Sequence, residues 1–395
     1  MKFLLIILDG AGDIGEETPL SKANKPNMDF LAKRGVTGLI NIGYKKKADS
    51  DVGYLTLLGC YSEKEYPGRG YLEALGIGVE PEKDDVVIRG NFATLGEDGN
   101  IIDRRAGRDE RGLDGLAEKL DGMEIDGVRF TAKRSAGHRI VIALRGNNLS
   151  DNIIPNDPQK VNVPLPQVGA KDPSAKFTAS VLNKFVYKAN KILVNEEINK
   201  EREFPANTVL IRNAGKRKTT LTFKERFGLK GCCVAGIPIA KGVARFLGMD
   251  VIEVPGATGL PVTNLSGKTD AVIKFLDNYD FIFLHINGTD TLSHSRKPEK
   301  KKEFIEKIDR EIGRMLEKAD LNETVFMVTC DHISASSPSF KGYEHLTDPV
   351  PVLISGDAIK PDNTKNFDEK SAEKGSLRIE TTGLIPFVLK LASLG

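Results

Sequence analysis

The sequence contains no tryptophan, only four cysteines and almost no net charge. Its 57 Lys and Arg residues nearly balance 55 Asp and Glu residues, which leaves a net charge of +2. This balance predicts neither nucleic acid nor an anionic membrane as a partner. The cysteines show no C-x-x-C spacing, and Cys232 and Cys233 are adjacent, so they form a poor disulfide pair. We therefore expect a reducing, cytoplasmic location.

Long apolar runs are also absent. The N-terminal run Phe3–Leu8 has only six residues and is followed by Asp-Gly, so it is too short for a signal-peptide core or a membrane span. A hydrophobic content of 40% and a charged content of 28% are typical of a globular protein. With 395 residues the chain exceeds one typical core, and we expect two domains.

Strand and helix patterns alternate near both ends of the chain and are interrupted between them. We predict an α/β fold in which a mostly parallel sheet is flanked by helices, formed by residues 1–64 together with 220–395. A smaller α+β domain, residues 65–219, is inserted, and we expect hinges near 62–68 and 212–220. Predicted strands lie at 3–8, 38–44, 86–88, 140–144, 209–211, 324–330 and 350–354. Predicted helices lie at 26–35, 51–58, 174–195 and 299–318, and another begins at Pro238. Residues 147–173 are predicted as loop and 215–218 as an exposed connector.

Acidic and imidazole side chains follow several of the predicted strands directly. Asp9 ends the first apolar run, Asp290 closely follows the run at 281–284, and Asp331 with His332 ends the run at 325–330. Ligands of open α/β sheets collect outside the carboxyl ends of the strands. Segments far apart in sequence are therefore predicted to form one metal site.

The spacing of Asp290 and His294 supports this prediction, because residues i and i+4 lie on one face of a helix and can reach one cation. His345 follows His332 by 13 residues. An Asp and His mixture suits Mn²⁺ or Zn²⁺, and Mg²⁺ suits a more oxygen-rich position. The alternative is that each His is an ordinary polar residue near a helix cap. Three of the five His residues fall within 52 positions, each near an Asp, which argues against that alternative.

Two other histidines are interpreted differently. His285 lies inside an apolar run and is predicted to be a core residue, whereas His138, in Gly-His-Arg, stays open between a structural and a binding role.

Ser50 stands at the predicted start of helix 51–58. It could be a simple N-cap, which is common for serine. It could also be a nucleophile, because a phosphoryl group on its hydroxyl would face helix amides that favour anions. A bound metal would lower the pKa of this hydroxyl and favour the alkoxide.

Together these motifs resemble the alkaline phosphatase superfamily, and most closely its archaeal-type cofactor-independent (2,3-bisphosphoglycerate-independent) phosphoglycerate mutase family. The resemblance runs nearly end to end. The motifs that carry it are Asp9-Gly10, Ser50–Gly53, Arg89–Thr94, Asp103–Arg108, Gly137–Arg139, Asp290 with His294, Asp331-His332, and His345 with Pro349–Val352.

The resemblance implies two divalent metal ions, typically Mn²⁺ with Zn²⁺, Co²⁺ or Mg²⁺ as alternatives, and no 2,3-bisphosphoglycerate. One ion would be held by Asp290, His294 and His345. The other would be held by Asp9, Ser50, Asp331 and His332. The substrate would be a small-molecule phosphoglycerate. The residues implied to bind it are Arg89, Asn91, Asp103, Arg104, Arg105, Arg108, His138, Arg139 and Lys241.

The implied reaction interconverts 3-phosphoglycerate and 2-phosphoglycerate, a step of glycolysis and gluconeogenesis, with Ser50 carrying the phosphoryl group. Departures from the family pattern are Tyr54, where His is more frequent, Ala48-Asp49 before the serine, and Ile333 after Asp-His. Three alternatives stay open: a phosphopentomutase, a metal-dependent phosphatase, and an inactive metal-binding scaffold. The sequence predicts no oligomeric state.

Overall fold

The structure of the protein is a computed structural model, which describes residues 1–45 and 47–392. The chain separates into two compact units, residues 1–64 with 220–395 and residues 65–219. Among the described helices, none combines the length and apolar character that crossing a bilayer would require.

The elements are numbered along the chain. The first segment contains β1 (Lys2–Leu8), α1 (Pro19–Lys22), α2 (Pro26–Lys33), β2 (Gly35–Asn41) and α3 (Ser50–Leu57). The inserted unit contains α4 (Arg69–Gly76), β3 (Val86–Leu95), β4 (Ile101–Asp103), α5 (Leu113–Glu118), β5 (Glu124–Ile125), β6 (Val128–Arg134), β7 (Arg139–Arg145), β8 (Ile153–Ile154), β9 (Gly169–Ala170), α6 (Lys176–Leu193), α7 (Glu197–Lys200), β10 (Thr208–Leu210) and β11 (Gly215–Lys216). The last segment contains α8 (Phe223–Phe227), β12 (Gly231–Val234), α9 (Pro238–Phe246), β13 (Asp250–Ile252), α10 (Leu265–Phe275), β14 (Phe281–Ile286), α11 (Gly288–His294), α12 (Pro298–Leu316), β15 (Thr324–Thr329), β16 (Val350–Ser355), α13 (Glu369–Lys374), β17 (Leu377–Glu380) and α14 (Leu384–Ala392).

The discontinuous unit is built on an eight-stranded sheet in the order β13-β12-β14-β1-β15-β16-β2-β17. All neighbouring pairs are parallel except those made by β16, which runs against β15 and β2. The central strands β1, β14 and β15 are almost entirely buried, as expected for parallel strands covered on both faces. The predicted α/β class with a mostly parallel sheet is therefore confirmed.

Helix α12 shows how the flanking helices are held. Its apolar side chains Phe304, Ile308, Ile312 and Met315 recur at helical spacing and are buried, while its other positions are largely charged. Burial of such a stripe, at about 25 cal/mol per Å² of apolar surface, is what stabilises an amphipathic helix on a sheet.

The inserted unit is a mixed α+β structure. Its main path of strands is β10-β3-β7-β6-β5, with β4 and β11 also paired to β3. Helix α6 contributes buried apolar residues to the same core, and its Phe185 ring stacks on Phe130 with centroids 4.5 Å apart. The substrate-binding role expected for this unit stays a prediction.

Three details differ from the sequence-based expectation. Strand β3 runs on from the predicted 86–88 to Leu95 through Gly90, where a Cβ atom would lie 3.0 Å from the Leu210 carbonyl oxygen. The predicted connector at 215–218 begins with β11, which pairs with β3. The predicted loop at 147–173 contains the short pair β8 and β9. Strands of only two residues are too short to give a periodic signal.

Candidate metal centre

The site lies where β14, β1 and β15 end side by side. In the register of these parallel strands, Leu8 lies beside Ile286 and Ile7 beside Thr329. Asp9, helix α11 and the Asp331-His332 pair consequently leave the sheet at the same edge. Because β16 runs in the opposite direction, the connection from β15 to β16, which carries His345, returns to this edge as well.

One group of ligand atoms is formed by Asp9, Asp331 and His332, all buried and with ligand atoms within 4.8 Å of one another. His332 Nε2 lies 3.5 Å from Asp9 Oδ1 and 3.6 Å from Asp331 Oδ2. The amide of Gly10 donates to Asp331 Oδ1 at 3.1 Å. This contact fixes one carboxylate oxygen and leaves the other toward the group.

A second group contains Asp290, His332 and His345, so His332 is shared. The predicted ligand His294 lies beside this group, with its Nε2 atom 3.1 Å from His345 Nε2 and 3.4 Å from Asp290 Oδ2. His345 Nδ1 is 2.9 Å from the Ala48 carbonyl, which leaves Nε2 for the site. The Ser334 hydroxyl donates to Asp290 Oδ1 at 3.1 Å.

Crowding of like charges perturbs these groups strongly. Burial and the Asp9 charge raise the pKa of Asp331 to about 7. Burial opposes the charging of His332, but Asp331, Asp9 and Asp290 raise its pKa to about 10. Burial and the neighbouring His332 lower the pKa of His345 to about 4. Three carboxylates gathered in a buried site create a local excess of negative charge.

The site passes a test for a bound cation. Three of its buried polar atoms have no hydrogen-bond partner in the part of the chain that the structure describes: Asp9 Oδ1, Asp331 Oδ2 and His332 Nε2. Buried polar atoms are otherwise almost always paired, and these are the atom types that divalent metals take as ligands. The donor set therefore fits a divalent cation.

Ser50 is buried at the start of α3. The N-cap residue of this helix is Asp49, so the simple alternative of a Ser50 N-cap is wrong by one position. Burial and the charges of Asp9 and Asp331 raise the pKa of Tyr54, and a side-chain hydrogen bond with Ser50 opposes this rise. The Tyr54 hydroxyl thus contacts both Ser50 and the Asp9 carboxylate.

Two aromatic residues of this centre make contacts with Asp9 that were not predicted from the sequence. The hydroxyl of Tyr54 donates to Asp9 Oδ2, although only its departure from the family pattern was noticed. His285 is buried, as expected of a core residue, but its Nε2 atom lies 3.1 Å from the same oxygen. His285 lies in an apolar run of aromatic and aliphatic residues, which predicts a buried strand and not a contact with Asp9. Its place near the end of that strand was the only signal in the sequence.

The inserted unit holds a separate cluster of arginines around Glu73. Arg89 Nε lies 3.5 Å from Glu73 Oε2, and the Ser135 hydroxyl donates to Glu73 Oε1 at 2.6 Å. Burial raises the pKa of Glu73, but Arg89, Arg139 and Arg69 lower it below the usual range. The Nε atoms of Arg89 and Arg139 are buried and have no hydrogen-bond partner among the described residues. A cluster of this kind has unused donors for an anion.

Other predicted binding residues in this unit have partners already. Arg104 makes two hydrogen bonds of 2.7 Å to the Asp157 carboxylate. The Asp103 carboxylate accepts from the amides of Arg105 and Gly107, so it shapes the turn.

The remaining predicted residues of this unit lie close to this turn or on neighbouring strands. Asn91 donates to the Arg104 carbonyl at 3.3 Å, and Arg108 is exposed. Burial and nearby arginines lower the pKa of His138 to about 3, so this ring is neutral. Lys241 belongs to the other unit, where it pairs with Glu253 at 2.5 Å.

Comparisons with known proteins give the family. The Metalloenzyme superfamily model matches residues 1–391. A 2,3-bisphosphoglycerate-independent phosphoglycerate mutase from Methanococcus aeolicus is 41% identical, over 99% of this chain and 98% of its own. A protein of the same name with the suffix 1, from Methanocaldococcus jannaschii, is 39% identical over 95% of this chain and 93% of its own.

Solved structures agree with these relatives. The PH0037 protein from Pyrococcus horikoshii is 35% identical with a TM-score of 0.84, covering 100% of this chain and 98% of that one. A cofactor-independent phosphoglycerate mutase from Thermoplasma acidophilum is 33% identical with a TM-score of 0.69, covering 99% and 100%.

Proposed function

The chain belongs to the 2,3-bisphosphoglycerate-independent phosphoglycerate mutase family of the metalloenzyme superfamily, and from this premise we propose that Ser50 is its nucleophile. The enzyme interconverts 3-phosphoglycerate and 2-phosphoglycerate. One observation carries the proposal: acid and imidazole side chains from four separate segments meet at one sheet edge, and Ser50 reaches them through Tyr54.

As a member of this superfamily the enzyme uses divalent metal. We propose two ions, one held by Asp290, His294 and His345 and the other by Asp9, Ser50, Asp331 and His332. Mn²⁺ is the preferred ion, with Zn²⁺, Co²⁺ and Mg²⁺ as alternatives, because mixed imidazole and carboxylate ligands suit these metals. When bound, the metals lower the pKa of the serine hydroxyl and screen the charge of the transferred group.

Ser50 performs the transfer in this proposal. Its oxygen forms a bond to phosphorus while the bond from phosphorus to the glycerate oxygen breaks, and the proton lost by the Ser50 hydroxyl balances the proton gained by the departing glycerate oxygen. The amides in the first turn of α3 favour the anionic phosphoserine, since a helix N-terminus carries partial positive charge. The other hydroxyl of the retained glycerate then takes the phosphoryl group back from Ser50.

The arginine cluster supports a substrate-binding role for the inserted unit. Arg139 has a buried Nε atom without a hydrogen-bond partner among the described residues, which suits a carboxylate or phosphate ligand. The Nε atom of Arg89 makes no hydrogen bond there either, but it is already ion-paired with Glu73 at 3.5 Å. Arg104 and Asp103 would act indirectly, because both are already engaged within the unit. We assign Arg105, Arg108, Asn91 and His138 to the same surface, and Lys241 to the neighbourhood of the transferred phosphate.

We also propose that the enzyme works in the cytosol. Cys232, Cys233 and Cys330 are buried and form no disulfide within the described chain, which is compatible with a reducing compartment. No nucleic-acid partner is proposed.

A ³¹P NMR experiment tests this function directly. The metal-loaded protein is incubated with 3-phosphoglycerate, without 2,3-bisphosphoglycerate, and the 2-phosphoglycerate resonance is followed. Ser50→Ala should abolish isomerisation. Ser266→Ala is the matched control, because Ser266 also lies in the first turn of a helix, α10, and is exposed.

The outcomes separate the alternatives. Release of inorganic phosphate without isomerisation would identify a phosphatase. Isomerisation that survives in Ser50→Ala would exclude this serine as the nucleophile. No reaction with any divalent metal, and activity on ribose phosphates instead, would point to a phosphopentomutase.

A further inference from the structure

Asp9 has one carboxylate oxygen engaged by two buried aromatic side chains and the other oxygen unengaged. We propose that Tyr54 and His285 are positioning residues, which hold Asp9 Oδ2 so that Oδ1 alone is presented to a divalent cation. The inference rests on the proposed function, in which Asp9 is a metal ligand. It concerns two residues that the family motifs do not assign as ligands or as substrate-binding groups.

The contacts on Asp9 are unequal. Oδ2 accepts a hydrogen bond from the Tyr54 hydroxyl and lies 3.1 Å from His285 Nε2. Oδ1 is buried and has no hydrogen-bond partner within the described chain, and it lies 3.5 Å from His332 Nε2. Rotating the carboxylate plane away from Tyr54 and His285 would break both bonds, so the plane seen here, with one oxygen facing the site, is held before any cation binds.

Tyr54 and His285 together form a clamp on Asp9, and this clamp is itself rigid. Tyr54 and His285 are both 0% exposed, and their rings meet edge to face with centroids 4.8 Å apart and an angle of 67°. The buried Lys268 ammonium donates to the His285 carbonyl at 2.8 Å. The Thr289 hydroxyl donates to the Asp9 carbonyl at 2.6 Å. The main chains of His285 and Asp9 and the rings of Tyr54 and His285 are therefore held in place.

The direction of the His285 contact follows from its surroundings. Its Nδ1 atom is buried and has no hydrogen-bond partner among the residues that the structure describes. Because the ionised Asp9 carboxylate can only accept, Nε2 is the donor in its contact with Asp9. A purely packing role would leave both ring nitrogens without a defined partner, which is costly for a buried imidazole.

Tyr44 offers a matched comparison. Its hydroxyl is also at this site, but it donates to the main-chain carbonyl of Asp331 at 2.9 Å. Removing this hydroxyl leaves the Asp9 carboxylate contacts intact. Because the Tyr54 hydroxyl also contacts Ser50, a difference between Tyr54→Phe and Tyr44→Phe reports on the carboxylate when His285→Gln reproduces it.

The test is a Mn²⁺ titration of the full chain, in which electron paramagnetic resonance measures free Mn²⁺. Tyr54→Phe keeps the ring and removes the hydrogen bond. It should lower the affinity of one of the two sites by about 10- to 100-fold, the usual effect of losing an outer-shell partner. The other site should be unchanged. His285→Gln should weaken the same site, and the double variant should lose less than the product of the two single effects, because both act on one oxygen.

Asp9→Ala separates failure of this inference from failure of the proposed function. If Asp9→Ala leaves both Mn²⁺ sites intact, the metal assignment itself is wrong. If it removes one site while Tyr54→Phe and His285→Gln bind Mn²⁺ like the unmodified chain, the positioning role is overturned. Equal weakening of both sites, or the same loss in Tyr44→Phe, would also overturn it. Either single variant suffices if the other does not fold, as judged by thermal unfolding without metal.

Discussion

At the scale of single residues, strand β7 places two arginines in contrasting surroundings. Arg139, at its start, has a buried Nε atom without a partner in the described chain, and its pKa is lowered by burial. Arg145, at its end, has a side chain 51% exposed and pairs with Glu82 at 2.9 Å. Only the first has donors held in reserve for an anion.

This contrast gives a kinetic prediction. Arg139→Ala should raise the KM for phosphoglycerate by about 10-fold or more, since a hydrogen bond to a charged group contributes about 1.5–3 kcal/mol. Arg145→Ala should leave KM unchanged, because the Arg145 guanidinium is already engaged by Glu82 and Asp85. Steady-state assays of both variants measure the effect. An equal rise in KM for both would refute the role given to the cluster.

At the scale of elements, helix α12 joins the two loops that carry metal ligands. The ammonium of Lys301 is buried, lies 3.0 Å from Asp13 Oδ2 and donates to the Ser334 carbonyl at 3.0 Å. Asp13 follows β1, and Ser334 follows β15. Because the Ser334 hydroxyl donates to Asp290, the pair supports the site from behind.

Loss of this pair should be costly. Lys301→Ala leaves Asp13 charged and buried, and we expect a loss of about 3–5 kcal/mol in the free energy of unfolding. Lys302→Ala is the neighbouring control, because its side chain is 29% exposed and pairs with Glu306 at 3.3 Å. It should cost less than about 0.5 kcal/mol. Urea unfolding of the metal-free variants measures both, and similar losses would contradict this account.

Elements with strong periodicity could be predicted from the sequence. Elements that form only by pairing with a distant strand could not. The spacing of Asp290 and His294 was interpreted as one face of a helical turn, and both residues lie in α11. Strand β11 could not be predicted, because Gly-Lys has no strand signal and depends on β3. The Arg104–Asp157 pair joins positions far apart in sequence. Single-sequence spacing reports local geometry, whereas such contacts are set by tertiary packing.

The candidate site followed the same rule. Several of its ligands could be proposed because Asp9 and Asp331 with His332 end apolar runs and Asp290 closely follows one, a signal that is visible in the sequence alone. The clamp on Asp9 could not, since Tyr54 reads as an ordinary apolar helix residue and His285 as part of a buried strand. Their hydrogen bonds to one oxygen exist only when α3, β1 and β14 are brought together.

At the scale of the whole molecule, the two compact units should respond differently to metal. A ligand stabilises the state that binds it by about 2.7 kcal/mol at 100 times its Kd. We expect Mn²⁺ to slow amide hydrogen exchange in β1, β14, β15 and α11. The inserted strands β6 and β7 should exchange at the same rate with and without metal, as measured by mass spectrometry. Equal protection in both units would show that they unfold as one.

The position of β1 in the central sheet also has a consequence for synthesis. Phe3 pairs with Phe281 and with Val325, so β1, once translated, lacks both of its neighbours until these later residues have been made. At about 5–20 residues per second, this delay lasts on the order of tens of seconds. The strands of residues 65–219 pair with one another and can fold in the meantime. The apolar strand β1 therefore stays unpaired in the nascent chain during this time, where a ribosome-associated chaperone can bind it.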